Sequence, residues 1–186
     1  MKAVMLTGAG GAEKLELQEV PDPVLEGPQD VLVRLHAAGL NPVDYKLRRV
    51  GGFYADRLPL ILGCDGAGVV EAVGDGVKRF DVGDEVYFFN GGMGGDDQGN
   101  YAEFTVLHED YVAAKPESLS MVEAASVPLV WLTAWESLFD RYALQAGDSV
   151  LIHGGAGGVG YIAIQIAKAA GATVFTTISS PEKAEF

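Results

Sequence analysis

The first 115 residues consist of short stretches in which apolar and polar side chains alternate, separated by Gly, Pro or Asp. Alternation with a period of two is typical of strands that bury one face. Many short strands at this spacing favour a small barrel or sandwich. One short helix, at about residues 42–50, interrupts them. The predicted strands are 2–6, 15–20, 31–38, 66–73, 85–88, 101–107 and 111–114.

Helical spacing replaces this pattern near residue 118. Ser120 and Glu123 have the spacing of a capping box at the start of a helix. Apolar residues then keep a helical period as far as Leu144, with Pro128 beginning a second segment. We therefore predict two domains, 1–122 and 123–186.

The second predicted domain contains a strand, a glycine-rich turn, a helix and another strand. The turn, at residues 155–160, fits the pattern G-x-G-x-x-G, and it lies between the apolar runs 150–152 and 173–178. In this context the pattern indicates a dinucleotide site, because glycines let the backbone approach a pyrophosphate at a helix N-terminus. The alternative is a glycine-rich turn of another α/β unit. The predicted cofactor contacts in the turn are Gly155, Gly157, Gly158, Val159 and Gly160.

The residues after the second strand favour NADPH over NADH. Sites for NAD usually have Asp or Glu there, which binds the ribose 2′-hydroxyl. This chain has Ser179, Ser180 and Lys183 instead, and two hydroxyls with an ammonium can surround a 2′-phosphate. Two alternatives stay open: Ser180 can simply cap a helix begun by Pro181, and Glu182 could point into the same pocket.

Composition narrows the classes of function. The 186 residues are 48% hydrophobic, which is enough for a packed core. The net charge of -13 argues against partners such as nucleic acid or anionic membranes. The one cysteine, Cys64, excludes an internal disulfide framework and suits a reducing cytoplasm. Nowhere do eighteen apolar residues run uninterrupted, so we predict no membrane span.

Five stretches resemble, in the same order, those of the medium-chain dehydrogenases/reductases. They are AGLNPVDYK at 38–46, LGCDGAGVV at 62–70, VGDEVY at 82–87, LTA at 132–134 and the glycine turn. The similarity is to the zinc-independent branch of quinone oxidoreductases, related to zeta-crystallin, and enone reductases. It implies an α/β protein: a GroES-like β-barrel catalytic domain followed by the start of a Rossmann-type, doubly wound parallel sheet. Less than half of such a sheet is present, so we expect a longer enzyme, and no useful turnover by this piece alone.

The resemblance also implies a site without zinc. The ligands of the related zinc-dependent alcohol dehydrogenases would fall at Asn41, Cys64 and about Leu129, and only Cys64 could bind zinc tightly. Residues 91–100 take the place of their cysteine-rich structural zinc lobe. We therefore predict no metal, and we interpret Cys64 as a small buried residue, with a redox or catalytic role as the alternative.

Hydride addition to a quinone or enone suits a zinc-free site, because hydrogen bonds can stabilise the oxyanion that forms. By resemblance, Lys46 is a donor to the nicotinamide ribose or the enolate oxygen, and Asn41 orients cofactor or substrate. Tyr45 and Tyr54 are expected in the substrate pocket, and Thr133 against the nicotinamide. The alternatives are a solvated helix face for Lys46, aromatic packing for Tyr54 and an ordinary helix position for Thr133.

The predicted function is therefore NADPH-dependent, zinc-free reduction of a small quinone or α,β-unsaturated carbonyl by a cytoplasmic enzyme, a homodimer at full length. Enoyl-thioester reduction is the alternative within the family, although the charge of -13 argues mildly against the basic docking surface that such substrates usually need. The alternative from another class is a non-catalytic protein that binds NADPH or acts through contacts alone.

Overall fold

Two compact units, Met1–Pro128 and Leu129–Phe186, divide the chain. The structure is a computed structural model, and it describes residues 1–50, 57–93 and 98–185.

Among the described residues, the first unit contains eight strands in two antiparallel sheets. One sheet has the order β2-β1-β4, and the other has the order β7-β3-β5-β6-β8. The strands are β1 (Lys2–Leu6), β2 (Leu15–Glu19), β3 (Asp30–Ala38), β4 (Leu60–Ile61), β5 (Asp65–Val73), β6 (Glu85–Phe89), β7 (Phe104–His108) and β8 (Val112–Ala114).

The alternation in the sequence thus identified all of these strands except β4. The start of β7 lies three residues later than predicted, and the other predicted ends differ by one residue at most. With two residues, β4 is too short to show a period. The predicted helix is present as α1 (Pro42–Val50).

Two apolar clusters hold the sheets and α1 of the first unit together. Val31 and Val33 of β3 are fully buried with Val86 of β6 inside the five-stranded sheet. Leu47 of α1 packs with Leu6 and Leu62, which fixes the helix against the three-stranded sheet. Fully burying an aliphatic side chain of this size contributes about 1.5–3 kcal/mol to the free energy of unfolding. The burial of Leu47 therefore holds α1 against the sheet.

A short helix, α2 (Met121–Ala125), closes the first unit. The Ser120 hydroxyl accepts from the Glu123 N–H, and the Glu123 carboxylate accepts from the Ser120 N–H, which confirms the predicted capping box. Ala124 and Ala125 pack against Ala67 of β5. The domain border that the sequence predicts, between residues 122 and 123, therefore falls inside α2, whereas the division of the structure follows Pro128.

The second unit contains the predicted β-α-β arrangement. It begins at the second residue of α3 (Pro128–Trp135), which continues into a π-helical stretch, Glu136–Arg141. The strands β9 (Ser149–Ile152) and β10 (Thr173–Thr176) pair in parallel, and α4 (Gly158–Ala169) connects them. Among the residues that the structure describes, no helix is long and apolar enough to cross a bilayer.

Candidate active site

The start of α1 holds the first predicted catalytic residue, Asn41. Pro42 follows it, and proline suits the first position of a helix because its φ is already helical. The Asn41 N–H donates to Oδ2 of Asp44 over 2.7 Å, and the Asp44 N–H donates to the Asn41 carbonyl over 3.0 Å. A carboxylate in the first turn also complements the helix dipole. The sequence Asn-Pro-Val-Asp thus fixes the backbone of Asn41.

Asp44 is buried, and it binds a second donor. The Tyr101 hydroxyl donates to the same Oδ2 atom over 2.7 Å, and it lies 3.4 Å from the Gly39 carbonyl. Burial raises the pKa of Tyr101 above its usual range, and the hydrogen bond to Asp44 adds to this effect. The phenol therefore stays protonated and acts as a hydrogen-bond donor. It ties the segment before β7 to the start of α1.

The side chain of Asn41 is held by another carboxylate. Its Nδ2 donates to Oδ2 of Asp65 over 2.9 Å, and Asp65 has an exposed fraction of 0%. The segment before Asn41 lies close to Asp65, because the Gly39 N–H donates to the Asp65 carbonyl over 3.1 Å. A Cβ at Gly39 would lie 2.4 Å from the carbonyl oxygen of Ala125. Only glycine permits this close packing.

Cys64 precedes Asp65 and is fully buried. Burial raises the pKa of its thiol to about 12, and the charges of Asp44 and Asp65 contribute in the same direction. The thiol is therefore neutral near pH 7, unlike the thiolate that binds metals or attacks substrates. Within residues 1–50, 57–93 and 98–185, no group of three His, Cys, Asp or Glu side chains is arranged to hold a metal ion.

The structure does not bring all predicted site residues into one network. Lys46 and Tyr45 are exposed on α1, and neither takes part in the two hydrogen bonds that hold Asn41. Thr133 is exposed on α3, and its hydroxyl donates over 2.7 Å to the carbonyl four residues earlier, as helix threonines commonly do. Tyr54 lies outside the described residues.

The glycine turn contains both tightly packed and exposed positions. Gly155 and Gly160 are buried, and a Cβ on either would lie 2.3 Å from a neighbour, Oγ1 of Thr176 and the carbonyl oxygen of Gly154 respectively. Gly157 is exposed, and a Cβ there would meet nothing closer than 3.2 Å. The first and last glycines of the motif therefore allow the strand and helix to approach, whereas the middle one is exposed and would make only one tight contact, with the Gly154 carbonyl oxygen.

The exposed Gly157 lies at the N-terminus of α4. Gly157 is the N-cap residue and provides no side chain to cap the helix. The first N–H groups of an α-helix, here those of Gly158, Val159 and Gly160, have no partner within the helix. They form the positive end of its dipole. The described backbone therefore fits the pyrophosphate of a dinucleotide.

Sequence reasoning missed two residues that shape this turn. Gly154 has a φ of +70°, a conformation that favours glycine. Its N–H donates to the Thr177 hydroxyl over 3.1 Å, and the Gly155 N–H donates to the Thr177 carbonyl over 3.0 Å. The turn is thus tied to the end of β10. An extra glycine between the strand and the motif was the available signal.

The predicted phosphate-binding residues form two pairs. The Lys183 ammonium donates to the Ser179 hydroxyl over 2.8 Å. The nearby Ser180 hydroxyl lowers the pKa of the exposed Glu182 carboxylate. Ser179 and Lys183 are therefore adjacent, as a phosphate site requires, whereas Glu182 places a negative charge beside Ser180.

Comparison with known proteins identifies the family. Residues 27–117 match the alcohol dehydrogenase GroES-like domain. A quinone oxidoreductase from Pseudomonas aeruginosa is 42% identical over 183 residues, which cover 98% of this chain and 54% of that protein. A 2-methylene-furan-3-one reductase from Solanum lycopersicum is 44% identical over 192 residues, which cover 100% of this chain and 49% of that protein.

A solved structure supports the same assignment. The crystal structure of Escherichia coli quinone oxidoreductase complexed with NADPH matches all of this chain and 55% of its own, with a TM-score of 0.86 and 32% identity. The chain spans about half the length of the curated relatives it matches. The GroES-like domain followed by the start of a Rossmann-type sheet, which the motifs predict, is confirmed. The chain belongs to the medium-chain dehydrogenase/reductase superfamily.

Proposed function

We propose that the full-length gene product is an NADPH-dependent oxidoreductase that transfers a hydride to a quinone, or to the activated C=C bond of an α,β-unsaturated carbonyl, without zinc. One observation carries this proposal. The glycine turn at the start of α4 is followed, after β10, by the hydrogen-bonded Ser179–Lys183 pair. A hydroxyl and an ammonium thus occupy the region where NAD sites have a carboxylate.

The second unit would bind the cofactor through its backbone and these side chains. The N–H groups at the start of α4 suit the pyrophosphate. Ser179 and Lys183 would hold the 2′-phosphate, and the neighbouring Ser180 hydroxyl would add a further donor, with the Glu182 carboxylate as a repelling neighbour. When bound, NADPH supplies the hydride.

The first unit would contribute the groups around the acceptor. Asn41 is fixed by Asp44 and Asp65, so it can orient a ligand at little entropic cost. Lys46 is exposed, and its ammonium can donate to the cofactor ribose or to the developing enolate oxygen. By family resemblance, Tyr45 and Tyr54 are proposed for the substrate and Thr133 for the nicotinamide.

The nature of the relatives supports the two acceptor classes. One is described as a quinone oxidoreductase and another as a 2-methylene-furan-3-one reductase. Hydride addition to either kind of acceptor places negative charge on an oxygen atom, which hydrogen-bond donors can stabilise. Zinc independence is proposed because Asn41 offers no zinc ligand and because the neighbouring thiol, Cys64, is held in its neutral form.

We further propose that the protein acts as a homodimer in the reducing cytoplasm. The location is supported by the presence of one cysteine, which is buried and unpaired. The dimer follows from the family resemblance.

The test is oxidation of NADPH by the full-length gene product, with p-benzoquinone and with methyl vinyl ketone as acceptors, before and after treatment with EDTA. We expect turnover with at least one acceptor and no change on chelation. Activity that EDTA abolishes and zinc restores would contradict the zinc-free mechanism. Tight NADPH binding without oxidation by any acceptor would favour the non-catalytic alternative.

A further inference from the structure

The side chain of Asn41 does not do what asparagine usually does at a helix N-terminus. An N-cap Asn normally accepts, through its side-chain oxygen, an N–H of the first helical turn. Here the side-chain Nδ2 of Asn41 donates to Asp65. The backbone N–H of Asn41 donates to the carboxylate of Asp44. Within the described residues, Oδ1 of Asn41 accepts no hydrogen bond. The amide is therefore held for another purpose than capping.

The partner of Asn41 determines which end of the amide is presented. An ionised carboxylate only accepts hydrogen bonds, so Nδ2 must face Asp65 and Oδ1 must face away from it. Asp65 is fully buried at the first position of β5, and its neighbouring residues pair with β6. Asn41 itself is half-buried. Its Oδ1 is thus an oriented acceptor on the more accessible side.

We infer that Asp65 is a positioning residue, which holds Asn41 so that the amide oxygen accepts a hydrogen bond from a ligand hydroxyl. This inference rests on the proposed function and deepens it. The hydroxyl belongs to the nicotinamide ribose of the cofactor, because the proposed quinone and enone acceptors have carbonyl oxygens and no hydroxyl to donate. Asn41 then orients a ligand through an acceptor, and the donor to the developing oxyanion is a different group.

Exchanging the residues at positions 41 and 65 shows whether the side chain at 41 acts on the ligand as a hydrogen-bond acceptor or as a donor. In the double variant Asn41→Asp with Asp65→Asn, the new amide at 65 donates to the new carboxylate at 41. The hydrogen bond is kept in the reverse direction, and the outer oxygen at 41 is still an acceptor. Asp is also a good N-cap residue, so the helix start is preserved. The exchanged side chain at 41 has no N–H group to donate.

The two single variants should each impair binding. Asn41→Asp places two carboxylates within hydrogen-bond distance, which repel each other. Asp65→Asn keeps the shape but allows the amide at 41 to turn over. For each we expect ligand affinity about fivefold to tenfold lower, which is the effect of one hydrogen bond. We expect the ligand affinity of the double variant to be within about twofold of that of the wild type.

The measurements are the Kd of NADPH from titration of its fluorescence, the KM and kcat with the better acceptor, and the melting temperature of each variant. A change in the Kd of NADPH identifies the cofactor ribose as the hydroxyl donor. A change confined to the KM of the acceptor, with the Kd of NADPH unaltered, would contradict the inference, because these acceptors have no hydroxyl to donate. Asp75→Asn, in the exposed turn after β5, is the matched control.

Recovery of the melting temperature without recovery of affinity would show that the amide N–H is needed, and it would overturn the inference. If the double variant does not fold, Asp65→Asn alone decides, because unchanged affinity in that variant also contradicts the inference. A wild-type protein that neither binds NADPH nor reduces any acceptor refutes the proposed function itself. If the wild type is active and the variants bind NADPH and the acceptor as the wild type does, only the role of Asp65 is refuted.

Discussion

The two regions proposed to serve one reaction are held in different ways. In the first unit, Asn41 is fixed by the buried carboxylates of Asp44 and Asp65. In the second unit, Ser179 and Lys183 form an exposed pair. A hydrogen bond to a buried charged group contributes about 1.5–3 kcal/mol, whereas exposed polar pairs contribute about 0–1 kcal/mol.

This difference separates fold from specificity. A change in the buried network should affect the stability of the protein as well as its activity. A change in the exposed pair should affect the preference between cofactors and leave the fold intact. The variants below test this distinction.

The largest effect is expected for Asp44→Ala. The substitution leaves the Tyr101 hydroxyl and the Asn41 N–H without their acceptor in a buried site. We expect the free energy of unfolding to fall by about 2–4 kcal/mol. Urea denaturation followed by circular dichroism measures it.

Two variants frame this result. Asp75→Ala removes an exposed carboxylate from a turn and should change the free energy of unfolding by less than about 0.5 kcal/mol. Tyr101→Phe removes one of the two hydrogen-bond donors to Asp44. Its loss in the free energy of unfolding should lie between those of Asp75→Ala and Asp44→Ala. Equal stability of Asp44→Ala and the wild type would contradict a structural role of the buried network.

The next largest effect is expected in the glycine turn. One of its glycines should affect mainly stability, and another should affect mainly cofactor binding. In Gly160→Ala the new Cβ would lie 2.3 Å from the carbonyl oxygen of Gly154, so we expect a loss of about 1–3 kcal/mol in stability. In Gly157→Ala the nearest atom is 3.2 Å away, and the expected loss of stability is less than about 1 kcal/mol. Its affinity for NADPH should nevertheless fall at least about tenfold, because the methyl group occupies the space for the pyrophosphate.

Thermal unfolding and NADPH titration of both variants separate the two roles. If Gly157→Ala bound NADPH as tightly as the wild type, the pyrophosphate would not lie against this turn.

The sequence predicted the elements better than the network around Asn41. Alternation and glycine spacing are local, and they identified most strands of the first unit and the β-α-β arrangement of the second. The contact between Asn41 and Asp65 joins residues 24 positions apart. It depends on how β3 and β5 pair, which no local pattern encodes.

Some of the missing contacts were nevertheless marked in the sequence. Asn41 and Asp44 have the N-cap and third-position spacing of a helix start, which predicts their hydrogen bond. Gly154, directly before the motif, indicated an unusual backbone conformation. Tyr101 carried no such signal, because its contact with Asp44 spans 57 positions.

The buried network also predicts a dependence of stability on pH. The pKa of Cys64 is raised from 9.0 to about 12, first by burial and then by the nearby acids. Below pH 9.0 the thiol is protonated in both states. As the pH rises from 9.0 towards about 12, the unfolded thiol loses its proton first, so the free energy of unfolding should fall.

The comparison is with Cys64→Ala, measured by urea denaturation across this pH range. The pKa of Tyr101 is also raised, so both proteins should lose stability, but the wild type should lose it more steeply. Parallel curves would mean that the thiol is not buried beside these charges. Rapid alkylation of the folded protein by iodoacetamide near neutral pH would mean the same.

The smallest change in stability is expected in the exposed pair. Lys183→Glu replaces the ammonium beside Ser179 with a carboxylate, which repels a 2′-phosphate. We expect the preference for NADPH over NADH to fall about tenfold, with the melting temperature unchanged, since exposed pairs contribute little to stability. Titration with both cofactors measures the ratio.

Two matched variants sharpen this result. Lys168→Glu makes the same charge change in an exposed position of α4 and should leave the ratio nearly unchanged. Glu182→Gln removes the negative charge beside Ser180 and should raise the preference for NADPH about twofold. A shift of equal size in Lys168→Glu would indicate a general effect of net charge instead of a phosphate site.

The cofactor assignment is tested most directly by the ratio of the Kd values for NADH and NADPH in the wild-type, full-length gene product. A phosphate bound by a hydroxyl and an ammonium should make NADPH bind at least about tenfold more tightly. A ratio near one, unchanged by Lys183→Glu, would contradict the assignment of NADPH.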